Sequence, residues 1–189
     1  KLAAIGFNLA KTTITRTIDA SVDSTVTVTL TSNSTATIEE TGGMTAGLDV
    51  SATDKSSIVT VSVGVAGAVG PDSAVAIAVG GSVALSEINS SVIAQIKDGS
   101  TINLRNQSDL NVRATNTTKI VAIGLGASAA VGGASGAGAV GFAAGVNKIT
   151  AQTGAIMAGN VIANGDDTGV NNIFVTADNS ANIVSVSVA

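Results

Sequence analysis

Hydrophobic and polar residues alternate along much of this chain with the period of two that predicts β-strands. Leu48, Val50 and Ala52 share one face of such a strand, and polar residues occupy the other face. A polar stretch at 53–57 follows, and the alternation restarts at Ile58. Because Asp and Ser favour corners, the polar stretch predicts a turn between two strands.

The same block of sequence occurs three times. Its copies span 48–63, 110–125 and 173–188, so they are 62 and 63 residues apart. The polar stretches of the second and third copies, at 115–119 and 178–182, are interpreted as turns in the same way. A repeat of this kind predicts a solenoid, in which each coil covers the apolar face of the next.

Further strand-like runs between the blocks predict about three coils of ~20 residues in each repeat. The expected fold class is all-β: a right-handed parallel β-helix (β-solenoid) of about nine coils of ~20 residues, with no capping element. The whole chain, 1–189, is predicted to be one solenoid segment. Its repeats are expected at 1–47 (partial, with an extra coil), 48–109, 110–172 and 173–189 (partial).

The composition predicts a thin core. Phe7, Phe142 and Phe174 are the only aromatic residues, so Ala, Val, Ile and Gly have to fill the interior. Runs of Gly and Ala at 64–70 and 126–133 have two interpretations. Their small side chains either face a narrow interior or form a flat outer face that packs laterally, and alternation alone does not orient them. The same question applies to Ala76, Ala78, Ala143 and Ala144.

Charge excludes several classes of function. Only 12% of the residues are charged, the net charge is -4, and the nine basic residues are scattered, which argues against nucleic-acid binding. The absence of Cys excludes a disulfide framework and thiolate chemistry. Residues 120–147 carry no charge, but they are rich in Gly and Ala rather than Leu, so the chain is not expected to span a membrane.

One segment resembles a known family. Residues 79–96, VGGSVALSEINSSVIAQI, are similar to the haemagglutinin- and leukotoxin-type repeats of very large secreted bacterial adhesins. Residues 50–64 and 112–124 fit the same pattern, so the resemblance covers most of the chain from about Leu48 onward. It implies a right-handed parallel β-helix, an extracellular location at the bacterial cell surface, and a role in adhesion or in fibrous surface layers. Contact with a host or neighbouring-cell surface is part of that implication.

Asp166 and Asp167 form the weak candidate for a metal site. They lie in a loop bounded by glycines and could bind Ca²⁺. Two adjacent carboxylates supply too few of the oxygen ligands that this cation takes, so a polar loop between coils is the favoured interpretation.

Catalysis by Glu39 and Glu40, or by Asp19 and Asp23, is the corresponding enzymatic hypothesis, since some polysaccharide-acting enzymes are β-helices. Such enzymes need aromatic platforms and convergent charges in a cleft, and this chain has almost no aromatic residues. We therefore predict that the chain is not an enzyme, with no catalytic residue and no cofactor.

The chain begins and ends within a repeat, and no capping element is visible in its sequence. We expect a structural protein that associates with itself head to tail, and possible lateral association is left open. The candidate assembly edges are Leu2, Ile5, Phe7, Ile183, Val184, Val186 and Val188. The alternative is a stalk segment of a giant secreted adhesin, and a polysaccharide-acting enzyme is the remote alternative.

Overall fold

The computed structural model describes residues 1–23, 27–29, 35–38, 47–71, 75–104, 109–163 and 172–189. Within these ranges all helix or strand structure is β-strand, and every strand pairing is parallel. The strands are β1 (Leu2–Val22), β2 (Thr27–Thr29), β3 (Thr35–Ile38), β4 (Gly47–Val69), β5 (Ala76–Ile96), β6 (Thr101–Leu104), β7 (Asp109–Val131), β8 (Ala137–Met157), β9 (Asn160–Ala163) and β10 (Ile173–Val188).

The strands form three sheets. The first long sheet has the order β1-β5-β8, the second long sheet has the order β3-β4-β7-β10, and a short sheet has the order β2-β6-β9. In the second long sheet the repeated blocks lie side by side, with Leu48 beside Leu110 and Leu110 beside Ile173. The three repeated blocks that lie side by side are therefore 62 or 63 residues apart in sequence. Paired residues of β1 and β5 are 74 apart, those of β5 and β8 are 61 apart, and those of β3 and β4 are only 12 apart.

The predicted coil of ~20 residues is wrong, and so is the expected number of about nine coils. The polar stretches at 53–57, 115–119 and 178–182 are not turns, because they lie inside β4, β7 and β10. The chain runs straight through each of them and returns to the same sheet only after a whole repeat. A complete repeat, rather than a third of one, therefore separates adjacent parallel strands.

The two long sheets face each other and send alternate side chains into a shared interior. In β4, even-numbered residues from Asp54 to Ala68 are buried, and odd-numbered residues from Lys55 to Val69 are exposed. The short sheet lies at the end of the long strands where β5 leads into β6, and we call this end the base. The opposite end, where β4 ends at Val69 and β5 begins at Ala76, is called the tip.

Side-chain size in the interior decreases from base to tip. Leu48, Ile96, Ile102 and Leu110 belong to the bulky cluster at the base, which joins all three sheets. A middle cluster contains Ile58, Ile88 and Ile120, and the tip cluster contains only alanines among its buried residues. The interior therefore narrows toward the tip, because alanines fill less of the space between the sheets.

Glycines bring the two sheets closest together near the tip. A methyl group added to Gly80 would overlap the backbone carbonyl of Ala127 in the facing sheet. The same holds for Gly126 against the backbone carbonyl of Phe142. Ala76 and Ala78 face the interior and are fully buried, and Ala143 lies beside inward-facing Ser82. These small residues line a narrow interior, whereas Ala144 faces outward beside Val83.

Two polar layers separate the apolar clusters and explain why the polar stretches remain strands. In the layer nearer the base, Asn116 Nδ2 donates a hydrogen bond of 2.6 Å to Ser90 Oγ, and Ser56 Oγ donates to Asp54 at 2.9 Å. Arg16 Nη1 also lies 3.3 Å from Asp54 Oδ1. Buried polar groups are stable when they are paired, so these side chains can face inward without a turn.

Candidate interaction surface

Each long sheet ends in strands whose outer edges are free among the described residues. In the first sheet these are β1 and β8, and in the second sheet β10 lies at one end. At the other end, β3 pairs only with residues 47–50 of β4, so the rest of that edge has no partner strand in the described ranges. A free parallel edge presents a row of unpaired backbone N–H and C=O groups that another strand can bind.

The predicted assembly residues lie in two of these edge strands. Leu2, Ile5 and Phe7 are in β1, whereas Ile183, Val184, Val186 and Val188 are in β10, and all seven are exposed. Because β1 faces β4 and β10 faces β8, the two groups lie at opposite ends of the stack of strands. The edges of β8 and β4 were not predicted, since the sequence interpretation took its edge candidates only from the residues near the two ends of the chain.

The pairing of β10 with β7 shows what one more strand does to an edge. Ile183 in β10 is 47% exposed, whereas its register partner in β7, Ile120, is fully buried. Ala181 is exposed, whereas its partner Thr118 is 1% exposed. Covering the edge of β10 would bury its inward row in the same way, and each large apolar side chain so buried would contribute about 1.5–3 kcal/mol.

The outer faces of both sheets are apolar in the half nearer the tip. On β4 the exposed row consists of valines from Val59 to Val69 with Gly67 among them, and it continues across β7 and β10. On the first sheet, Phe7 and Phe142 lie either side of Gly81 with ring centroids 6.2 Å apart. The six strand segments of this half contain no charged residue: 2–10, 58–69, 76–86, 120–131, 137–147 and 183–188.

Lysines lie where this apolar half ends. Lys11 and Lys148 are exposed on the outer face of the first sheet, and Lys55 and Lys119 are exposed on that of the second. A shallow groove of about 210 Å³ lies between Lys11 and Lys148, and Leu85 and Val146 are among its lining residues. We call these four lysines the lysine girdle.

One carboxylate lies among these lysines. Glu87 Oε1 is 3.2 Å from Lys148 Nζ, and the hydrogen bond from Lys148 lowers the pKa of the Glu87 carboxyl. Lys11 adds a smaller electrostatic effect in the same direction. Glu87 therefore partly neutralises the girdle on the first sheet, chiefly at Lys148.

The candidate catalytic carboxylates that the structure describes are engaged in surface contacts between adjacent strands. Asp19 accepts hydrogen bonds of 3.2 Å from Gln95 Nε2, and Asp23 forms an ion pair with Lys97. Within the described part of the chain, no three His, Cys, Asp or Glu side chains group closely enough to hold a metal ion. Glu39, Glu40, Asp166 and Asp167 lie outside the described residues.

Comparison with protein-family models, with curated proteins and with solved structures gives no match to this chain. In the described ranges there is no helix of the length and apolarity needed to cross a membrane. The features available for a functional inference are the in-register repeats, the free edges and the apolar outer faces.

Proposed function

We propose that the chain is a β-solenoid protomer, or segment, of an extracellular filament at the bacterial cell surface. Each repeat of about 62 residues forms one coil, which is longer than the roughly 20–50 residues of most known repeat units. The observation that supports this proposal most directly is the stacking of equivalent blocks, with Val50 beside Val112 and Val112 beside Val175. A further copy of the block can be added beside β10 in the same register, whereas beside β4 it can pair only with residues beyond Val50, where β3 leaves the edge uncovered.

The free edges give the filament its direction of growth. One end of the stack presents β8 and β10, and the other end presents β1 and the uncovered part of β4. β4 and β10 contain equivalent blocks of the repeat. The β10 end of one copy is therefore suited to pair with the β4 end of the next copy. A head-to-tail contact of this kind does not close on itself, and it therefore produces an open fibre.

The location follows from the resemblance to repeats of secreted bacterial adhesins. On this proposal the filament is exported, adopts the right-handed coil that parallel crossovers favour, and forms part of a surface layer or fibre. A stalk segment of a giant adhesin is the alternative. It is favoured by the fact that three copies of the block already pair within one chain, so further repeats of the same chain would cover the edges equally well.

Substitution of an inward-facing edge residue tests the filament. Ala181→Lys places a charge on the row that the next copy must bury, because the equivalent Thr118 is 1% exposed. Ser180→Lys is the matched control, since its register partner Thr117 remains exposed in β7. We expect the unmodified chain and Ser180→Lys to form fibres visible by electron microscopy, and we expect Ala181→Lys to stay monomeric.

If the unmodified chain forms no fibres at high concentration, the filament of separate copies is wrong. In that case the stalk would be the better proposal, and its test is whether a chain with one additional repeat is more stable than this one. In a solenoid, stability grows with each coil because each interface between neighbours adds to the free energy of unfolding.

A further inference from the structure

We infer that the apolar tip is a lipid-binding wedge that enters an anionic membrane surface edge-first, with the lysine girdle at the level of the lipid headgroups. The wedge is the half of the two long sheets nearer the tip, where both outer faces are apolar. This inference goes beyond the structural role proposed above, because it names a ligand for the outer faces of the coils.

The first observation is the size of the exposed apolar surface. From Val59 to Val69 the outer row of β4 covers eleven positions, or about 33 Å at the rise of a parallel strand. Three adjacent strands make this face about 500 Å² in area, and the facing sheet presents a second apolar surface of similar size. The two faces together exceed the apolar patch that a monomeric protein usually exposes.

The second observation is that the apolar length fits a bilayer. The hydrocarbon layer is about 30 Å thick, close to the 33 Å or so of the valine row. No charged residue interrupts the strand segments of the wedge. Lys1 lies one residue before β1, and Asp72 lies in sequence between β4 and β5, outside the described residues. The wedge can therefore enter hydrocarbon without burying a charged side chain of its strands.

The third observation is the sign of the charge at the boundary. Lys11, Lys55, Lys119 and Lys148 lie on both outer faces where the apolar half ends. Long lysine side chains at such a boundary reach headgroups while their stems remain on apolar surface. A lysine near an anionic lipid surface contributes about 1 kcal/mol to binding. Glu87 offsets one of the four through its ion pair with Lys148.

A lipid surface fits these faces better than a second copy of the chain does. A second copy packed against one face would leave the other apolar face in water. Lipid covers both faces at once, and it accounts for the lysines on both.

Insertion requires that the backbone N–H and C=O groups of every strand in the wedge be paired with a neighbouring strand. Free strand edges are costly in hydrocarbon because these groups find no partners there. Inner strands such as β5 and β7 meet this condition, since they pair on both sides. The edges of β1, β8 and β10, and the part of β4 that β3 leaves uncovered, meet it when further coils cover them, so the inference rests on the proposed stacking at this point.

Flotation with lipid vesicles tests the wedge. We expect the chain to bind vesicles of phosphatidylcholine and phosphatidylglycerol in equal parts, and to bind phosphatidylcholine alone more weakly. Lys11→Gln and Lys119→Gln should each weaken binding to the anionic vesicles about fivefold at low salt, the factor that corresponds to about 1 kcal/mol. Val61→Thr combined with Val140→Thr should weaken binding about tenfold or more, because hydrocarbon cannot hydrogen-bond the new hydroxyl groups.

Ile93→Thr combined with Ile156→Thr is the matched control for the valine pair. Both isoleucines face outward near the base, beyond the girdle, so this variant should bind vesicles as the unmodified chain does. Because the chain contains no Trp or Tyr, a single introduced tryptophan reports its own surroundings. Fluorescence of Val61→Trp should shift to the blue with anionic vesicles, and that of Ile93→Trp should not.

Failure to bind either kind of vesicle overturns the inference, as does equal binding by the two threonine pairs. If chains without lipid instead associate side by side and Val61→Thr with Val140→Thr abolishes that association, the occupant is a second copy and the lipid wedge is wrong. Fibre formation is measured separately without lipid. Fibres that ignore vesicles overturn only the wedge, whereas vesicle binding by chains that do not stack contradicts both the filament and the stacked form of the wedge.

Discussion

Asn116 on β7 donates a hydrogen bond of 2.6 Å from Nδ2 to Ser90 Oγ on β5, across the interior between the two long sheets. Asn116 is fully buried and Ser90 is 6% exposed. The bond lies between the bulky cluster at the base and the isoleucine cluster in the middle. It therefore joins the sheets at a level where no large apolar side chains do so.

Removing one partner of this pair should cost more than removing both. Ser90→Ala leaves the Asn116 amide buried without its acceptor, which should lower the free energy of unfolding by about 1–3 kcal/mol. Asn116→Val in the Ser90→Ala background should recover much of the loss, because no unpaired polar group then remains and valine favours strands. Urea denaturation of the unmodified protein, the two single variants and the double variant measures the coupling free energy between Ser90 and Asn116. All four proteins also carry Ala181→Lys, which is expected to prevent fibre formation. Additive effects of the two substitutions would show that the bond is not formed.

Gly80 and Gly81 are neighbours in sequence that face opposite sides of the first sheet. A methyl group on Gly80 would overlap the backbone of Ala127, whereas one on Gly81 would meet the ring of Phe142. Backbone in a paired sheet cannot move aside, so Gly80→Ala should force the sheets apart and cost about 3 kcal/mol. Phe142 is partly exposed and can rotate, so Gly81→Ala should change stability by less than about 1 kcal/mol.

Thermal unfolding followed by circular dichroism distinguishes these two glycine variants. The comparison is internally controlled, since both substitutions make the same chemical change in one strand. Equal destabilisation by the two variants would mean that close approach of the sheets does not determine the requirement for glycine.

The sequence predicted parallel strands and repeats of about 62 residues, and the paired blocks contain those repeats in register. The error concerned the polar stretch inside each block. Asp54 and Asn116 are residue types that favour turns, and a single strand does not show the partners they find across the interior. Arg16 beside Asp54 and Ser90 beside Asn116 become evident only when the two sheets face each other. Coil length could not be predicted because it depends on that pairing across the interior.

The edge residues illustrate the same limit. Ile5 and Val186 were predicted as assembly-edge residues, and both lie in edge strands of the structure. Alternation did not show that Val59 and Val61 face outward, because the residues next to them that face the interior, Thr60 and Ser62, are polar. Orientation therefore depends on the register of the whole strand and not on which face is more apolar.

Asp49 should make stability depend on pH in an unusual direction for a carboxylate. Burial raises the pKa of the Asp49 carboxyl above its ordinary value, and the charge of Arg113 opposes this effect only in part. Its Oδ1 atom has no hydrogen-bond partner among the described residues. The native state therefore binds the Asp49 proton more tightly than the unfolded state does. The contribution of this group to stability should fall as pH rises from the ordinary aspartate pKa through the raised one, and the cost should persist at neutral pH.

Asp49→Asn should consequently raise the free energy of unfolding at neutral pH, because the buried charge is removed. The advantage of the variant should shrink as pH is lowered below the raised pKa, where Asp49 in the unmodified protein is already neutral. Urea denaturation of both proteins across this pH range measures the difference, and Asp19→Asn on the exposed face of β1 is the control for loss of a surface charge. A variant less stable than the unmodified protein at neutral pH would show that Asp49 is held by a favourable interaction of its charge.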